Sequence, residues 1–125
     1  MDDPIDTHVR AARGLLAAPL PNDAVELTEL LTRVQLEVAA ALDEAMARAA
    51  LTGVSLRAIA QGAQLAPNSV PPRLARSTTL GSYAEGGKVS AEQLAVARAD
   101  HRDRAGQEAG QTARFTFQPR KRSSS

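Results

Sequence analysis

The segment from Ala24 to Leu51 constrains the fold most, because its apolar residues recur at intervals of three and four. This spacing is typical of one amphipathic helix, which would be about 42 Å long. A single small domain does not need so long a helix, so we expect part of it to form a dimer interface. The predicted apolar face contains Leu27, Leu30, Leu31, Val34, Val38, Ala41, Leu42, Ala45, Met46 and Ala49, and the predicted solvent face contains Thr28, Arg33, Glu37, Asp43, Glu44 and Arg48.

Breaking and capping residues bound this helix on both sides. The Pro-rich segment 19–21 separates it from a shorter helix that we expect within residues 5–18, and Asn22 or Asp23 can cap its first turn. Gly53 follows its last turn, where glycine commonly ends a helix. The long helix is therefore expected to begin and end close to the limits of the periodic segment.

Composition points to an all-α fold. Of 125 residues, 25 are Ala and 14 are Leu, whereas three are aromatic and none is Cys. Ala and Leu suit closely packed helices, while β-sheets favour β-branched and aromatic residues. The lack of Cys excludes disulfides, thiolate zinc sites and a Cys nucleophile. No apolar run approaches the roughly 20 residues of a membrane-spanning helix, and the acidic start differs from a signal peptide, so we expect a cytoplasmic, nucleoid-associated protein without a membrane partner.

The sequence divides into three regions. Residues 1–21 are expected to form an N-terminal helix and a Pro-rich linker, and residues 22–105 a helical domain. Residues 106–125 are expected to be a flexible, disordered basic tail, because the periodicity is lost there. Within the domain, residues 77–89 fit either a loop or a minimal hairpin.

A last helix is expected to begin after Ser90. Ser90 and Gln93 have the spacing of a capping box, in which each residue satisfies a backbone donor at the start of the helix. Asp100 and Arg104 stand four residues apart, in the order that favours an ion pair on a helix. After Gly106 and Gly110 the chain loses its helical periodicity.

Charge is distributed unevenly along the chain. Residues 1–50 contain nine acidic and four basic residues, whereas residues 51–125 contain five acidic and eleven basic residues. Faces exposed only to solvent usually mix both signs of charge, so the second part suggests a surface that meets an anion, although chance clustering remains an alternative. No acidic residue lies between Glu44 and Glu85, a stretch that contains Arg48, Arg57, Arg73 and Arg76.

Residues 56–74 predict two short helices that cross at an angle and share one core. Ser55 is the expected cap of the first helix, and a short turn is expected around residues 63–66. The apolar positions of this pair are Leu56, Ile59, Ala60, Ala63, Leu65, Val70 and Leu74.

This pattern resembles the helix-turn-helix of bacterial DNA-binding proteins of the actinobacterial type, over residues 55–77. Ala60 stands where the second helix crosses closest, Leu65 turns into the core, and Val70 and Leu74 seat the second helix. The resemblance implies that the second helix enters the major groove of double-stranded DNA. It also implies a transcriptional regulator that acts by occupying its site, most simply as a homodimer joined through the 24–51 helix.

Two features depart from the commonest form of the motif. Gln64 stands at a turn position where many relatives have glycine, so its backbone is expected to be left-handed or nearly so. Pro71 and Pro72 would disrupt a helix that began well before them, but both are tolerated in a first turn. We therefore expect Ser69 to cap a recognition helix over residues 70–77.

Polar and basic side chains are predicted to form the DNA-binding surface. Arg73 is expected to have a free guanidinium that meets base edges together with Asn68 and Ser69. The remaining basic residues and the amides at the start of the helix are expected to hold phosphates. The full candidate set is Arg57, Asn68, Ser69, Pro71, Pro72, Arg73, Arg76, Ser77 and Lys88, with Arg120, Lys121 and Arg122 in the tail.

The other motifs are weaker candidates for a functional site. His8 and His101, the two histidines, have no partners at metal-ligand spacing. Residues 86–88 lack the further glycine and hydroxyl of a phosphate-binding loop. Tyr83 is expected to pack beneath the recognition helix. Because no nucleophile and base are paired, we expect no enzyme, no cofactor, no metal and no small-molecule ligand.

Two other functions fit the same residues. The chain could be a structural nucleoprotein component, such as a plasmid centromere-binding protein or a phage DNA-packaging adaptor, with the long helix building an oligomer larger than a dimer. It could also be a helical adaptor whose basic face meets an acidic partner protein. The mass in solution and the binding of DNA at low salt distinguish these functions from the first.

Overall fold

The computed structural model describes the backbone of residues 3–116 and the side chains of residues 3–108. Over this part of the chain the fold is all-α, as the sequence predicts. Short 3₁₀ helices occupy Pro67–Ser69 and Gly81–Tyr83, and one isolated bridge joins Glu85 to Lys88. The α-helices are α1 (Pro4–Leu15), α2 (Ala24–Leu51), α3 (Leu56–Ala63), α4 (Val70–Ala75) and α5 (Ala91–Thr116).

Helices α1 and α2 form an antiparallel hairpin. The carboxylate of Asp3 caps α1 by accepting from the amide of Ile5 at 3.0 Å, and it also accepts from Arg48 near the end of α2 at 2.7 Å. The bond from Arg48 lowers the pKa of Asp3 below its ordinary value. Further along the hairpin, His8 Nδ1 lies 2.8 Å from Glu37 Oε1. Polar pairs thus fasten the start and the middle of the shorter helix to α2.

The bounds of α2 are those that the periodicity predicts, and Asp23 is its cap, because its carboxylate accepts from the amide of Glu26 at 3.0 Å. The buried residues of α2 all lie within residues 41–50. The prediction that Leu31 and Val38 are buried is wrong, because these side chains are 46% and 52% exposed. Before residue 41, α2 extends beyond the core and is covered on one side only, by α1.

The core lies where the second half of α2 meets the other helices. Its side chains are small or aliphatic, as the composition predicts. Ala47, Ala50 and Ala60 are almost completely buried, which lets neighbouring helix backbones approach closely. The buried cluster consists of Met46, Ala47, Ala50, Ile59, Ala60, Val70, Leu74, Leu80, Val89, Leu94 and Ala97.

The pair α3 and α4 has the predicted turn geometry. Ser55 caps α3 by accepting from the amide of Ala58 at 3.1 Å. Gln64 ends α3 in the left-handed conformation, with φ 59° and ψ 44°, as expected. The amide of Leu65 then donates to the carbonyl of Ala60 at 2.9 Å, which closes the turn.

The start of α4 differs from the prediction in one respect. Pro71 and Pro72 lie in its first turn as expected, but the Ser69 side chain does not cap it. The 3₁₀ helix Pro67–Ser69 runs directly into α4, and the amide of Val70 donates to the carbonyl of Pro67. Because the two following prolines have no N–H, no donor is left for a Ser69 cap. At its other end α4 stops at Ala75, short of the predicted residue 77.

The segment before α5 forms the minimal hairpin that the sequence allowed. Glu85 and Lys88 exchange two backbone hydrogen bonds, of 2.9 and 3.2 Å. Gly86 and Gly87 both have positive φ, 62° and 79°, which a two-residue turn of this kind requires. The amide of Val89 donates to the carbonyl of Pro71 at 3.0 Å, so the hairpin lies beside the first turn of α4.

Helix α5 is longer than predicted. It continues through Gly106 to Thr116, because a glycine inside a helix costs only about 1 kcal/mol and does not by itself end it. Asp100 does not pair with Arg104 as expected; it accepts from the hydroxyl of Tyr83 at 2.8 Å. At the start of the helix, the amide of Ser90 donates to Gln93 Oε1 at 2.9 Å, as in the predicted capping box. Among the described residues, none of the helices combines the length and apolar character needed to cross a bilayer.

Candidate nucleic-acid interface

Two neighbouring acids of α2 hold α4 in place. Asp43 and Glu44 are both only 5% exposed. Arg73, in the last turn of α4, points its Nε at Asp43 Oδ1 over a distance of 2.6 Å, and the two side chains are 20% and 7% exposed. A charge-assisted bond of this length in a largely buried setting fixes the rotation of α4 relative to α2.

This contact corrects two predictions. The prediction that Asp43 and Glu44 lie on the solvent face of α2 is wrong, because α3, α4 and α5 pack around its second half and bury more than one stripe. The expectation that the Arg73 guanidinium is free is also wrong, since its Nε is bound to Asp43. Arg73 instead positions α4.

Glu44 fastens the loop that follows α4. Its carboxylate accepts from the amide of Thr78 at 2.7 Å, from the Thr78 hydroxyl at 3.1 Å and from the Thr79 hydroxyl at 3.4 Å. Ser77, predicted to belong to the DNA-binding surface, is 3% exposed. Its hydroxyl donates to the carbonyl of Leu74 at 2.7 Å and accepts from the amide of Leu80 at 3.0 Å. Ser77 therefore closes the loop internally.

The remaining candidates in the described part of the chain are more accessible. Asn68 and Arg76, at the two ends of the α4 segment, are exposed, and so is Arg57 on α3. Lys88 is exposed in the hairpin, immediately before the residue that bonds to the first turn of α4. The half-buried members of the set are Ser69, Pro71 and Pro72.

The acids nearest in sequence to this region are engaged elsewhere. Asp43 and Glu44 are buried against Arg73 and the loop after α4. Glu85, at the other limit of the acid-free stretch, accepts from the side chain of Gln93 at 3.0 Å. The two acids of α2 are therefore held inside the fold, away from the exposed cations of α3 and the α4 segment, whereas Glu85 is exposed in the same hairpin as Lys88.

Nothing in the sequence indicated a contact between α5 and the end of α2. Arg98 of α5 donates through Nε to the carbonyl of Ala50 at 2.8 Å and through a terminal nitrogen to the carbonyl of Val54 at 3.0 Å. The first bond satisfies a carbonyl in the last turn of α2, where helices have unpaired acceptors, and the second binds the connection between α2 and α3. The basic tail residues Arg120, Lys121 and Arg122 lie outside the described residues.

No protein-family model matches the chain, and neither the curated proteins nor the solved structures contain a significant match. Among the side chains described, no group of three His, Asp or Glu residues is placed to hold a metal ion. What this surface binds has therefore to be inferred from its shape and charge.

Proposed function

We propose that the chain binds double-stranded DNA through α3 and α4 and regulates transcription by occupying its site. The observation that carries this proposal is the pair of short helices joined through the left-handed Gln64, with exposed Arg57 on one helix and Arg76 at the end of the other. In helix-turn-helix proteins the second helix lies in the major groove while the first crosses the backbone.

The exposed side chains are suited to different parts of the duplex. Asn68 has an amide donor and acceptor that match the N6 and N7 edge of adenine. Arg57 and Arg76 can neutralise phosphates, and Lys88 in the adjoining hairpin can reach the same backbone. In this proposal Ser69, Pro71 and Pro72 shape the end of the helix that enters the groove, and the tail Arg120–Arg122 adds affinity for any sequence.

The recognition segment, which is helix α4 (Val70–Ala75), is fixed before it meets DNA. Its first turn carries Pro71 and Pro72, whose φ angles are locked, and its last turn is bound to α2 through Arg73 and Asp43. A rigid element loses little conformational entropy on binding, which favours affinity. Arg73 contributes here by orienting α4, while Asn68 carries the base contact.

We further propose that the protein acts as a homodimer joined through α2. Several apolar side chains of α2 before residue 41 are exposed, and two of them, Leu31 and Val38, stand two turns apart on one side of the helix. Two copies related by a two-fold axis would present two recognition helices to successive turns of DNA. The exposed apolar residues are Val25, Leu31, Leu36 and Val38.

A protein-binding function is the second candidate, and one observation favours it. A cavity of about 270 Å³ lies between α2 and α3 and is lined entirely by apolar residues and glycine. Such a groove suits one side of a partner helix. Its lining residues are Leu42, Ala45, Met46, Ala49, Val54, Ala58, Ile59, Gly62 and Ala63.

Selection from a random duplex pool at low salt tests the first proposal. We expect a shared motif in the bound sequences, with two symmetric half-sites if the protein is a dimer. The absence of binding to any duplex at low salt would reject the DNA-binding function and favour the protein adaptor. A solution mass above that of a dimer would favour a structural nucleoprotein component.

A further inference from the structure

A cavity of about 280 Å³ lies away from the recognition segment, between the end of α2, the loop after α4 and the middle of α5. Its size is close to the lower limit of small-molecule sites. Apolar Leu51 and Ala97 form part of the wall, and the other side chains are polar or basic. The lining residues are Arg48, Leu51, Thr52, Thr79, Tyr83, Ala97, His101 and Arg104.

The charged lining of this cavity is basic. Arg48 comes from α2, and His101 and Arg104 lie one turn apart on α5; no carboxylate is among the lining residues. The neighbouring acids are engaged, because Asp3 accepts from Arg48 at 2.7 Å and Asp100 accepts from the Tyr83 hydroxyl at 2.8 Å.

The two arginines are not equivalent. Arg48 already has a carboxylate partner in Asp3. Among the residues whose side chains are described, no acid forms an ion pair with Arg104. An anion entering the cavity would thus meet two guanidinium groups, Arg104, which lies beside the Tyr83 hydroxyl and has no acidic partner among these side chains, and Arg48, which now binds a carboxylate of this chain. Guanidinium groups recognise carboxylate and phosphate groups.

We propose that this cavity binds a small organic anion, with a carboxylate or phosphate group held by Arg104 and Arg48 and a compact apolar body against Leu51 and Ala97. The site is independent of DNA binding, and its test contains no nucleic acid. Thr79 lines the cavity and belongs to the loop that Glu44 fastens behind α4, so a bound anion would contact the segment that follows this helix.

The chain provides its own reporter for the test. Tyr83 lines the cavity, and the sequence contains no other Tyr and no Trp. The tyrosine fluorescence of the protein therefore reports on the wall of this cavity. The probes are cyclohexanecarboxylate, cyclohexyl phosphate and the neutral cyclohexanecarboxamide. Ligand-observed NMR with the same probes measures binding without relying on fluorescence.

We expect saturable binding of at least one anion and binding of the amide that is weaker by about tenfold or more. The anion that binds more tightly identifies the head group. Arg104→Gln should weaken anion binding by about tenfold, whereas Arg102→Gln, an exposed arginine on the same helix outside the cavity, should change it less than about twofold. Lack of binding by both anions, equal binding of the amide, or equal losses in the two variants would overturn the proposal.

Discussion

The Nε atom of Arg73 lies 2.6 Å from Oδ1 of Asp43, and this bond joins the short helix α4 to the long helix α2. The adjacent acid, Glu44, binds the amide of Thr78 at 2.7 Å and so holds the loop just after α4. Two consecutive residues of α2 therefore secure a six-residue helix and its exit. A helix this short has too few backbone bonds to be stable alone, so these contacts determine its orientation.

The Arg73–Asp43 bond is expected to stabilise the fold. Asp43→Ala would leave a largely buried guanidinium without its partner and should lower the free energy of unfolding by about 2 kcal/mol. Asp6→Ala removes an exposed partner of Arg10 on α1 and should cost only about 0.5 kcal/mol. Urea denaturation of both variants measures the difference, and similar losses would contradict the structural role of Asp43.

The close crossing of α3 against the core can be tested at Ala60, which is 2% exposed. Ala60→Glu would bury a carboxylate without a partner and should cost about 3 kcal/mol or more. Ala58→Glu is the matched control, because Ala58 is exposed and stands three residues after the Ser55 cap, where Glu completes a capping box. Thermal unfolding should show a large fall in melting temperature for Ala60→Glu alone. An unchanged melting curve for Ala60→Glu would contradict the packing of this helix pair.

The turn between α3 and α4 carries backbone strain at Gln64, whose φ is 59°. Gln64→Gly should stabilise the protein by about 0.5 kcal/mol, because glycine adopts this conformation without steric cost. Gln61→Gly, in the body of α3, should instead destabilise it by about 1 kcal/mol. Opposite signs in denaturant titrations are the expected outcome, and a destabilised Gln64→Gly would show that the Gln side chain contributes more than the strain costs.

Tyr83 provides a pH-dependent prediction. The hydrogen bond that it donates to Asp100, together with desolvation, raises the pKa of its phenol above the ordinary 10.0. The native state therefore holds this proton more tightly than the unfolded chain, and the contribution to stability is present below pH 10.0 and is lost as the pH rises through the native pKa. Because Tyr83 is the only tyrosine, near-ultraviolet absorbance follows its titration directly.

The control for this titration is Asp100→Asn, which removes the negative charge beside the phenol. We expect the midpoint of the Tyr83 titration to fall towards 10.0 in this variant. A wild-type midpoint at or below 10.0 would contradict the contact between these two side chains.

Local sequence patterns predicted much of the fold but little of the site. The bounds of α2, the Ser55 cap and the left-handed Gln64 each depend on a few neighbouring residues, and all three are confirmed. The burial of Asp43 could not be predicted, because its partner Arg73 is 30 residues away. Helical periodicity identifies one apolar stripe, whereas the second half of α2 is covered from several directions. The one sequence signal for this burial was the isolated acidic pair Asp43 and Glu44 within an Ala-rich run.

The central claim is that exposed cations on α3 and α4 contact DNA phosphates. The most direct measurement is the salt dependence of binding to the selected duplex for two double variants with equal net charge. Arg57→Gln/Arg76→Gln removes the proposed contacts, whereas Arg10→Gln/Arg13→Gln removes two exposed cations of α1. The account predicts that the slope of log K against log salt becomes shallower by about 1.8 in the first variant and is unchanged in the second, since each phosphate contact contributes about 0.9. Equal changes in both variants, or an unchanged slope in the first, would contradict it.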